Sequence, residues 1–243
     1  MIDIHTHIFP AFDDGAADYE ESAAMLKLAY RRGTREVVLT PHFTARQIKN
    51  GITVSKLFEM QRNFAEKVFE EVPGIKLHNG AEVYCNSELL ELAKEVKLPT
   101  VNGGKYLLVE FSCEASFDFM IFSLEKIREF GYCPIIAHLD RYDCLASDFH
   151  RTEYLKEAGA LIQVNADSII GRDGMSHSAL TLRLLKSRMI DVVASDSHGI
   201  NYRTPDLSEA AAELMLRTSE KYENKVLSEI PKMIIDNIKI RET

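Results

Sequence analysis

The sequence predicts an α/β protein built as a distorted seven-stranded (β/α)7 barrel, TIM-like in plan. Short β-branched runs alternate with amphipathic stretches over 243 residues, the pattern of a parallel sheet covered by helices. Gly33, Gly131 and Gly159 stand just past three of the helical stretches, where a left-handed residue ends a helix. Residues able to bind metal recur at or just past the ends of the predicted strands: His5, His7, Asp14, His42, Glu82, Glu110, His138, Asp196 and His198.

The elements follow in order. The β-branched and apolar runs predict strands over Ile2–Ile4, Glu36–Thr40, Ile75–Val83, Tyr106–Phe111, Cys133–His138, Ala160–Val164 and Asp191–Ser195. Helical patterns lie between them, over Tyr19–Arg32, Val54–Val72, Ser87–Val96, Phe117–Phe130, Thr152–Ala158 and Ser176–Ser187. Two more, Asp206–Tyr222 and Asn224–Ile238, follow the last strand. Leu207, Ala211, Leu214 and Met215 recur at helical spacing and are expected to face the core.

An open doubly wound sheet fits the alternation as well as a barrel does, and the ligand-type residues decide between them. They come from the ends of strands one to five and seven. An open seven-stranded sheet is about 29 Å wide at about 4.8 Å per strand, too wide for its outer strands to share ions. A barrel gathers every C-terminal strand end on one rim, so the metal site is expected there. With no repeats, low-complexity segments or linkers, residues 1–243 are read as one domain.

Composition narrows the function. At 46% apolar and 27% charged residues the chain has ample core material. Its net charge of −8 argues against a nucleic-acid or anionic-membrane surface. Screening over roughly 8 Å still allows a locally positive site for an anionic substrate. Cys85, Cys113, Cys133 and Cys144 are scattered without a Cys-x-x-Cys spacing, which fits neither a zinc knuckle nor a disulfide framework. The chain opens directly on a strand, with no signal-peptide pattern. No run of ~18 apolar residues suggests a membrane span. The expected compartment is the cytoplasm.

The chemistry lies in the ligand-type residues. Side chains two apart in a strand point to the same side, so His5 and His7 can bind one ion, as can Asp196 and His198. Imidazole with carboxylate is a donor set for Mn, Fe or Zn. His-x-His alone is weak evidence. The pattern persuades because it recurs at both ends of the chain and at the intervening strand ends. His78, His150 and His177 lack that placement and are expected to be bystanders. Motifs of covalent hydrolase chemistry are missing: no Cys-x5-Arg loop, no Asp-x-Asp-x-Thr strand and no Gly-x-Ser-x-Gly elbow. Gly103-Gly104-Lys105 lacks the Walker spacing and reads as a turn before a strand.

These motifs resemble the PHP (polymerase and histidinol phosphatase) family of metal-dependent phosphoesterases. Within it they are similar to the bacterial capsule-regulating, manganese-dependent protein-tyrosine phosphatases. The resemblance is carried in order by His5-Thr6-His7, Phe12-Asp13-Asp14-Gly15, Thr40-Pro41-His42, Gly80-Ala81-Glu82, Val109-Glu110-Phe111, Ala137-His138-Leu139-Asp140-Arg141-Tyr142 and Ser195-Asp196-Ser197-His198. It implies three divalent ions, with Mn2+ first and Fe or Zn as alternatives. One would take His5, His7, Glu82 and Asp196; a second Asp14, His42 and His198; a third Glu110 and His138, bridged by Glu82 to the first. It further implies that Arg141 and Arg203 grip phosphate, and that a metal-bridging hydroxide attacks phosphotyrosine without a phospho-enzyme. The implied partner is a phosphotyrosine-bearing protein, a bacterial tyrosine autokinase that controls capsular or exopolysaccharide synthesis. Leu139-Asp140 departs from a frequent Pro-Glu in the family, which bears on how the loop carrying Arg141 is held.

Clustered divalent ions make sense of four crowded carboxylates, which are otherwise costly to bury. Arginine forks suit the oxygens of a transferring phosphoryl group. Asp13 is placed to orient a ligand or relay a proton. Phe9, Phe12, Phe43, Tyr84, Tyr142 and Tyr202 are the rim aromatics able to cradle a tyrosine ring. Three alternatives remain beside this reading. They are a small-molecule phosphomonoesterase of the histidinol-phosphatase type, a non-catalytic module binding phosphotyrosine or metal, and an amidohydrolase-like enzyme cleaving C–N bonds. The last lacks a lysine at a strand end. The sequence leaves the subunit count open.

Overall fold

The computed structural model describes residues 1–146, 148–172 and 175–240, with side chains at 175–178 outside the described set. Its strands are β1 (Ile2–Asp3), β2 (Glu36–Leu39), β3 (His42–Phe43), β4 (Lys76–Asn79), β5 (Glu82–Tyr84), β6 (Tyr106–Glu110), β7 (Cys133–Ile136), β8 (Leu161–Asn165) and β9 (Val192–Ala194). The helices are α1 (Tyr19–Arg31), α2 (Ala45–Lys49), α3 (Val54–Phe69), α4 (Ser87–Leu92), α5 (Phe117–Glu129), α6 (Asp143–Ala146), α7 (Phe149–Glu157), α8 (Ala166–Ile169), α9 (Met175–Lys186), α10 (Ser208–Arg217), α11 (Glu220–Asn224) and α12 (Ile230–Ile235). Every strand pairing is parallel. Gly33, Gly131 and Gly159 take positive φ just past α1, α5 and α7.

The sheet curls with helices outside it, but its ladder is not one uninterrupted seven-stranded ring. It runs as a three-stranded sheet, β1-β2-β4, and a six-stranded sheet, β3-β5-β6-β7-β8-β9. A parallel bridge between Thr6 and Ser197 joins the chain beyond β1 to the chain beyond β9. The division has a local cause. Pro41 carries no N–H for a ladder, and the strand expected over Ile75–Val83 breaks at Gly80-Ala81. Gln61 of α3, fully buried, fills the gap. Its Nε2 donates to Leu39 O at 3.1 Å and to Gly80 O at 2.9 Å, while its Oε1 accepts from Gly80 N at 3.2 Å. One amide thus replaces the ladder bonds that two strands give up.

Two apolar clusters sort by strand parity. Val37 and Leu39, Leu107 and Val109, and Ile162 and Val164 pack outward against helices. Val38, Tyr106, Leu108, Ile135, Val192 and Ala194 fill the inside, with Ile230, Ile234 and Ile235 of the C-terminal segment packed against them. This inner and outer alternation is the period-two consequence of the strand pleat.

Several boundaries differ from the sequence expectation. The helix expected over Asp206–Tyr222 breaks between α10 and α11, where Thr218 leaves helical geometry and Ser219 caps the next helix by accepting from Tyr222 N. The one expected over Asn224–Ile238 becomes a π-helical turn, Lys225–Glu229, followed by α12. The short helices α2, α6 and α8 were not expected, since four or five residues hold too little periodicity to read.

Replacing Gln61 by Leu should lower the unfolding free energy, at roughly 1–3 kcal/mol for each buried backbone group left without a partner. Urea denaturation is the measurement. An unchanged midpoint would show that the breaks in β2–β3 and β4–β5 do not depend on this amide.

Candidate metal centre

The nine ligand-type residues, placed far apart in sequence, meet at one end of the sheet. Seven of them lie at or beyond the C-terminal ends of strands or in the loop after β1, and His42 and Glu82 start the short β3 and β5 that follow the breaks after β2 and β4. His5 and His7 follow β1, and the loop carrying Asp13 and Asp14 folds back so that Ala16 N donates to His7 O at 2.9 Å. A Cβ on Gly15 would lie 2.0 Å from His7 O, so only glycine allows this approach. His42 opens β3 directly beside Glu82, the first residue of β5. Glu110 ends β6. His138, Asp196 and Arg203 all take positive φ, at 32°, 52° and 46°. Left-handed backbone outside glycine is costly, and at these three residues it is held against local preference.

Glu82 is the hub. Its Oε1 lies 3.2 Å from His5 Nε2 and 3.0 Å from His138 Nε2. Its Oε2 lies 3.2 Å from His7 Nε2 and 3.1 Å from His42 Nδ1. Asp196 Oδ1 is 3.4 Å from both His5 Nε2 and His7 Nε2. Asp14 Oδ1 faces His42 Nε2 at 3.4 Å and His198 Nε2 at 3.6 Å. Glu110 reaches His42 and His138, each at 3.5 Å. His5, His7, Glu82, His138 and Asp196 form a buried floor. The Asp14 side chain, 69% exposed, stands at the mouth.

Among the described residues three groupings of potential ligand atoms emerge: His7 with Asp14, His42 and His198; His5 with His7 and Asp196; and His42 with Glu82 and Glu110. They overlap the partition implied by resemblance without copying it. His7 and His42 each serve two groups, and His138 approaches Glu82 more closely than Glu110.

The electrostatics follow from burial among opposite charges. Burial alone would lower His7, but the Asp13 carboxylate bonded to it and the Asp196 and Glu82 carboxylates beside it raise it well above its ordinary range. His42 is raised in the same way, chiefly by Glu82 acting against burial. Against its own burial, His138 is pushed up to about 10 by Glu110 and Glu82. Glu82 and Asp196 are held well below the usual carboxylate range, although burial opposes this; His5 supplies the leading attraction for both. Burial, then the charge on His7, takes His198 down to about 4. Its Nδ1–H donates to Asp196 O at 2.9 Å, which leaves the Nε2 lone pair toward Asp14.

The donor set fits divalent cations. Glu82 Oε2 and Asp196 Oδ1 are buried without a hydrogen-bond partner among the described residues, and both point into the imidazole cluster. Imidazole and carboxylate atoms converging without a matching number of protons are the ligand chemistry of Mn, Fe and Zn. Both arginines reach the same place: Arg141 Nη1 donates to Asp196 Oδ2 at 3.1 Å, and Arg203 Nη2 donates to the same oxygen. The turn holding Arg141 is anchored where the family motif departs, since buried Asp140 Oδ2 accepts from Thr181 Oγ1 at 3.1 Å.

Asp13 orients a neighbour. Its Oδ2 accepts from His7 Nδ1 at 2.7 Å and from His42 N at 2.8 Å. Sequence reasoning missed Gln163 and Asn165, whose buried amides bond into the cluster. Their signal was polar residues two apart at the end of an apolar strand. His78 lies outside, bonded to Glu36 at 2.7 Å, and His150 pairs with Glu153 on the surface. The His177 side chain falls outside the described residues. Of the rim aromatics, Phe9, Phe43 and Tyr142 are buried in the core and out of a ligand's reach. Tyr142 is locked by donating to Ala137 O and accepting from Phe111 N, both at 3.1 Å. Phe12 and Tyr84 are half-buried, and Tyr202 is 78% exposed.

A curled parallel sheet with a histidine–carboxylate cluster at its C-terminal strand ends defines a TIM-like α/β protein with potential metal-binding groups. Comparison with known proteins makes this specific. The family model for capsular polysaccharide synthesis, CpsB/CapC, matches residues 1–236. The tyrosine-protein phosphatase CpsB of Streptococcus agalactiae is 30% identical over 243 residues, covering 98% of this chain and 99% of that protein. The tyrosine-protein phosphatase YwqE of Bacillus subtilis is 31% identical over 240 residues, covering 99% and 91%. The fold superposes with a TM-score of 0.88 and 28% identity on a chain from the crystal structures of Bacillus subtilis YwqE and Streptococcus pneumoniae CpsB, unique metal-dependent tyrosine phosphatases; 100% of this chain and 97% of that one are covered. The chain belongs to the CpsB/CapC family.

Divalent-ion binding should release protons, because ligand histidines bind metal in their neutral form. His138, raised from 6.5 to about 10, contributes stability below about 6.5 that is lost as pH rises through about 10. Glu82 and Asp196, being depressed, contribute at pH values above the normal carboxylate range and lose that contribution under acid. Metal affinity is therefore expected to rise across pH 6.5 to 10. Calorimetry in buffers of different ionisation enthalpy measures the released protons; a pH-independent affinity would contradict this account.

Proposed function

We propose that this chain is a metal-dependent protein-tyrosine phosphatase that hydrolyses phosphotyrosine. The observation that carries it is the convergence of nine ligand-type side chains and two arginines on one rim with a buried floor, in a member of a family whose named relatives are tyrosine phosphatases. His5, His7, Asp14, His42, Glu82, Glu110, His138, Asp196 and His198 hold the metal in this reading. Arg141 and Arg203 bind substrate. Three divalent ions are proposed, with Mn2+ the resident and Fe or Zn the alternatives. Residues 1–243 act as one domain, and the two sheets count as one distorted seven-position barrel, a view supported by the Thr6–Ser197 bridge.

Bound divalent ions supply Lewis-acid charge and an activated water at neutral pH. The protein's part is placement. Glu82 presents both oxygens among four imidazoles and is suited to bridge ions. Asp13 fixes the His7 ring by accepting its Nδ1–H, which turns Nε2 toward the cluster. The two guanidinium groups stand beside Asp196 with planar donor forks suited to phosphoryl oxygens. Asp14, His42 and Glu110 form the accessible lip through which a phosphate ester enters, and the exposed ring of Tyr202 borders the arginine that follows it.

A phosphotyrosine-bearing protein is the proposed substrate, specifically a bacterial tyrosine autokinase in capsular or exopolysaccharide synthesis, on the strength of the family's role. A cytoplasmic location accords with that partner and with four unpaired thiols. No helix among the described residues is long and apolar enough to cross a membrane.

Asp196→Ala and His42→Ala are each expected to abolish turnover of a tyrosine-phosphorylated peptide. Arg141→Ala should keep its metal content, measured by elemental analysis, while turnover falls roughly 100-fold or more. Wild-type turnover by Arg141→Ala would remove the anion clamp. Loss of metal along with activity would instead assign Arg141 to holding Asp196. Faster turnover of histidinol phosphate than of the phosphopeptide would overturn the protein-substrate reading.

A further inference from the structure

Among the strands around the cluster, β8 supplies none of the nine ligand-type residues. Its C-terminal half instead presents Gln163 and Asn165, two apart, on the face of the strand that continues from Leu161, which packs on the inner apolar cluster. Neither amide is exposed, at 0% and 1%. A buried carboxamide costs free energy unless its hydrogen bonds are made, so two side by side at this depth call for an explanation.

The geometry points to a directional amide relay in which Gln163 and Asn165 act as positioning residues for His5, His138 and Asp196. Gln163 Oε1 accepts from His138 N at 2.7 Å and from His5 Nδ1 at 3.1 Å. Gln163 Nε2 donates to Asn165 Oδ1 at 2.9 Å, and Asn165 Nδ2 donates to Asp196 Oδ2 at 2.8 Å. The direction is fixed from both ends. A backbone N–H only donates, so the Gln163 atom facing His138 is oxygen. An ionised carboxylate only accepts, so the Asn165 atom facing Asp196 is nitrogen. Between these ends, the link from Gln163 nitrogen to Asn165 oxygen is the one arrangement left.

Three consequences follow. His5 carries a proton on Nδ1, because an amide oxygen cannot donate to it; in the neutral, metal-binding form its Nε2 lone pair then faces Glu82 and Asp196. His138, at φ 32°, has its left-handed backbone tied down through its own N–H. Asp196 is divided, with Oδ2 held by Asn165 and the arginines while Oδ1 faces His5 and His7. A neutral amide does this without adding charge to a site already rich in carboxylates. Outer partners of metal-bound histidines and carboxylates orient the ligands in this way. The inference rests on the reading of the cluster as a metal centre.

The test uses Gln163→Leu and Asn165→Leu, near in volume and without hydrogen bonds, with Gln163→Glu as the conservative variant. Mn2+ affinity is measured by calorimetry, and His5 tautomer by 15N-detected NMR of the Zn2+-loaded protein. Thermal melting in chelator confirms that each variant folds. Both Leu variants should melt cooperatively and bind Mn2+ roughly 10- to 100-fold more weakly. Gln163→Leu should lose the Nδ1–H signal pattern of His5, Gln163→Glu should regain it, and Asn165→Leu should keep it while its affinity falls. Affinity within two-fold of wild type in both folded Leu variants, or a wild-type His5 protonated on Nε2, would overturn the relay while leaving the metal centre standing. Wild-type protein that binds no divalent ion would overturn the metal reading, and the relay with it.

Discussion

The architecture depends on how the buried Glu82 carboxylate is compensated. It has no exposure and stands among four imidazole rings contributed by His5, His7, His42 and His138. A carboxylate this deep is tolerated only when positive charge surrounds it. The imidazoles come from the ends of three strand positions, so meeting Glu82's requirement also draws those strand ends together around it. The Thr6–Ser197 bridge and the bond from Asp196 N to His5 O, at 2.8 Å, then stitch the first and last strand ends together at the same place. The site and the join between the first and last strand ends are a single construction.

Apolar strands make the floor rigid enough to hold that charge. Leu108, Ile135, Val192 and Ala194 fill the space beneath the cluster, and the C-terminal isoleucines pack against them. On this base the chain tolerates backbone that it would otherwise avoid. His138, Asp196 and Arg203 sit at positive φ, and each bonds directly into the site. At these three residues the strained backbone aims side chains into the site. Buried amides support the same aim at two levels. Gln61 satisfies the broken strands behind Glu82, and Gln163 with Asn165 satisfies the ligand-type residues in front of it.

Much of this was legible in sequence. The alternation of strand and helix, the glycine stops after α1, α5 and α7, and the recurrence of histidine and carboxylate at strand ends are all local patterns. Local patterns survive in one dimension because the period of a strand or helix is imposed by its own backbone. The breaks at Pro41 and Gly80 were less visible, because Gln61, the partner that satisfies them, belongs to another element. The aromatics show the same limit. Phe12 stayed half-buried and Tyr202 exposed while Phe9, Phe43 and Tyr142 went inward.

By itself the sequence determined the donor types, their strand-end placement and the class of fold able to gather them. Only the tertiary structure decided which atoms face which. It put His7 and His42 in two groupings each, split Asp196 between imidazoles and arginines, and enlisted Gln163 and Asn165. The physical reason is that a strand end fixes a side chain's side and depth. Its partners within about 3 Å depend on neighbours hundreds of bonds away, on burial and on hydrogen-bond direction, which no local period encodes.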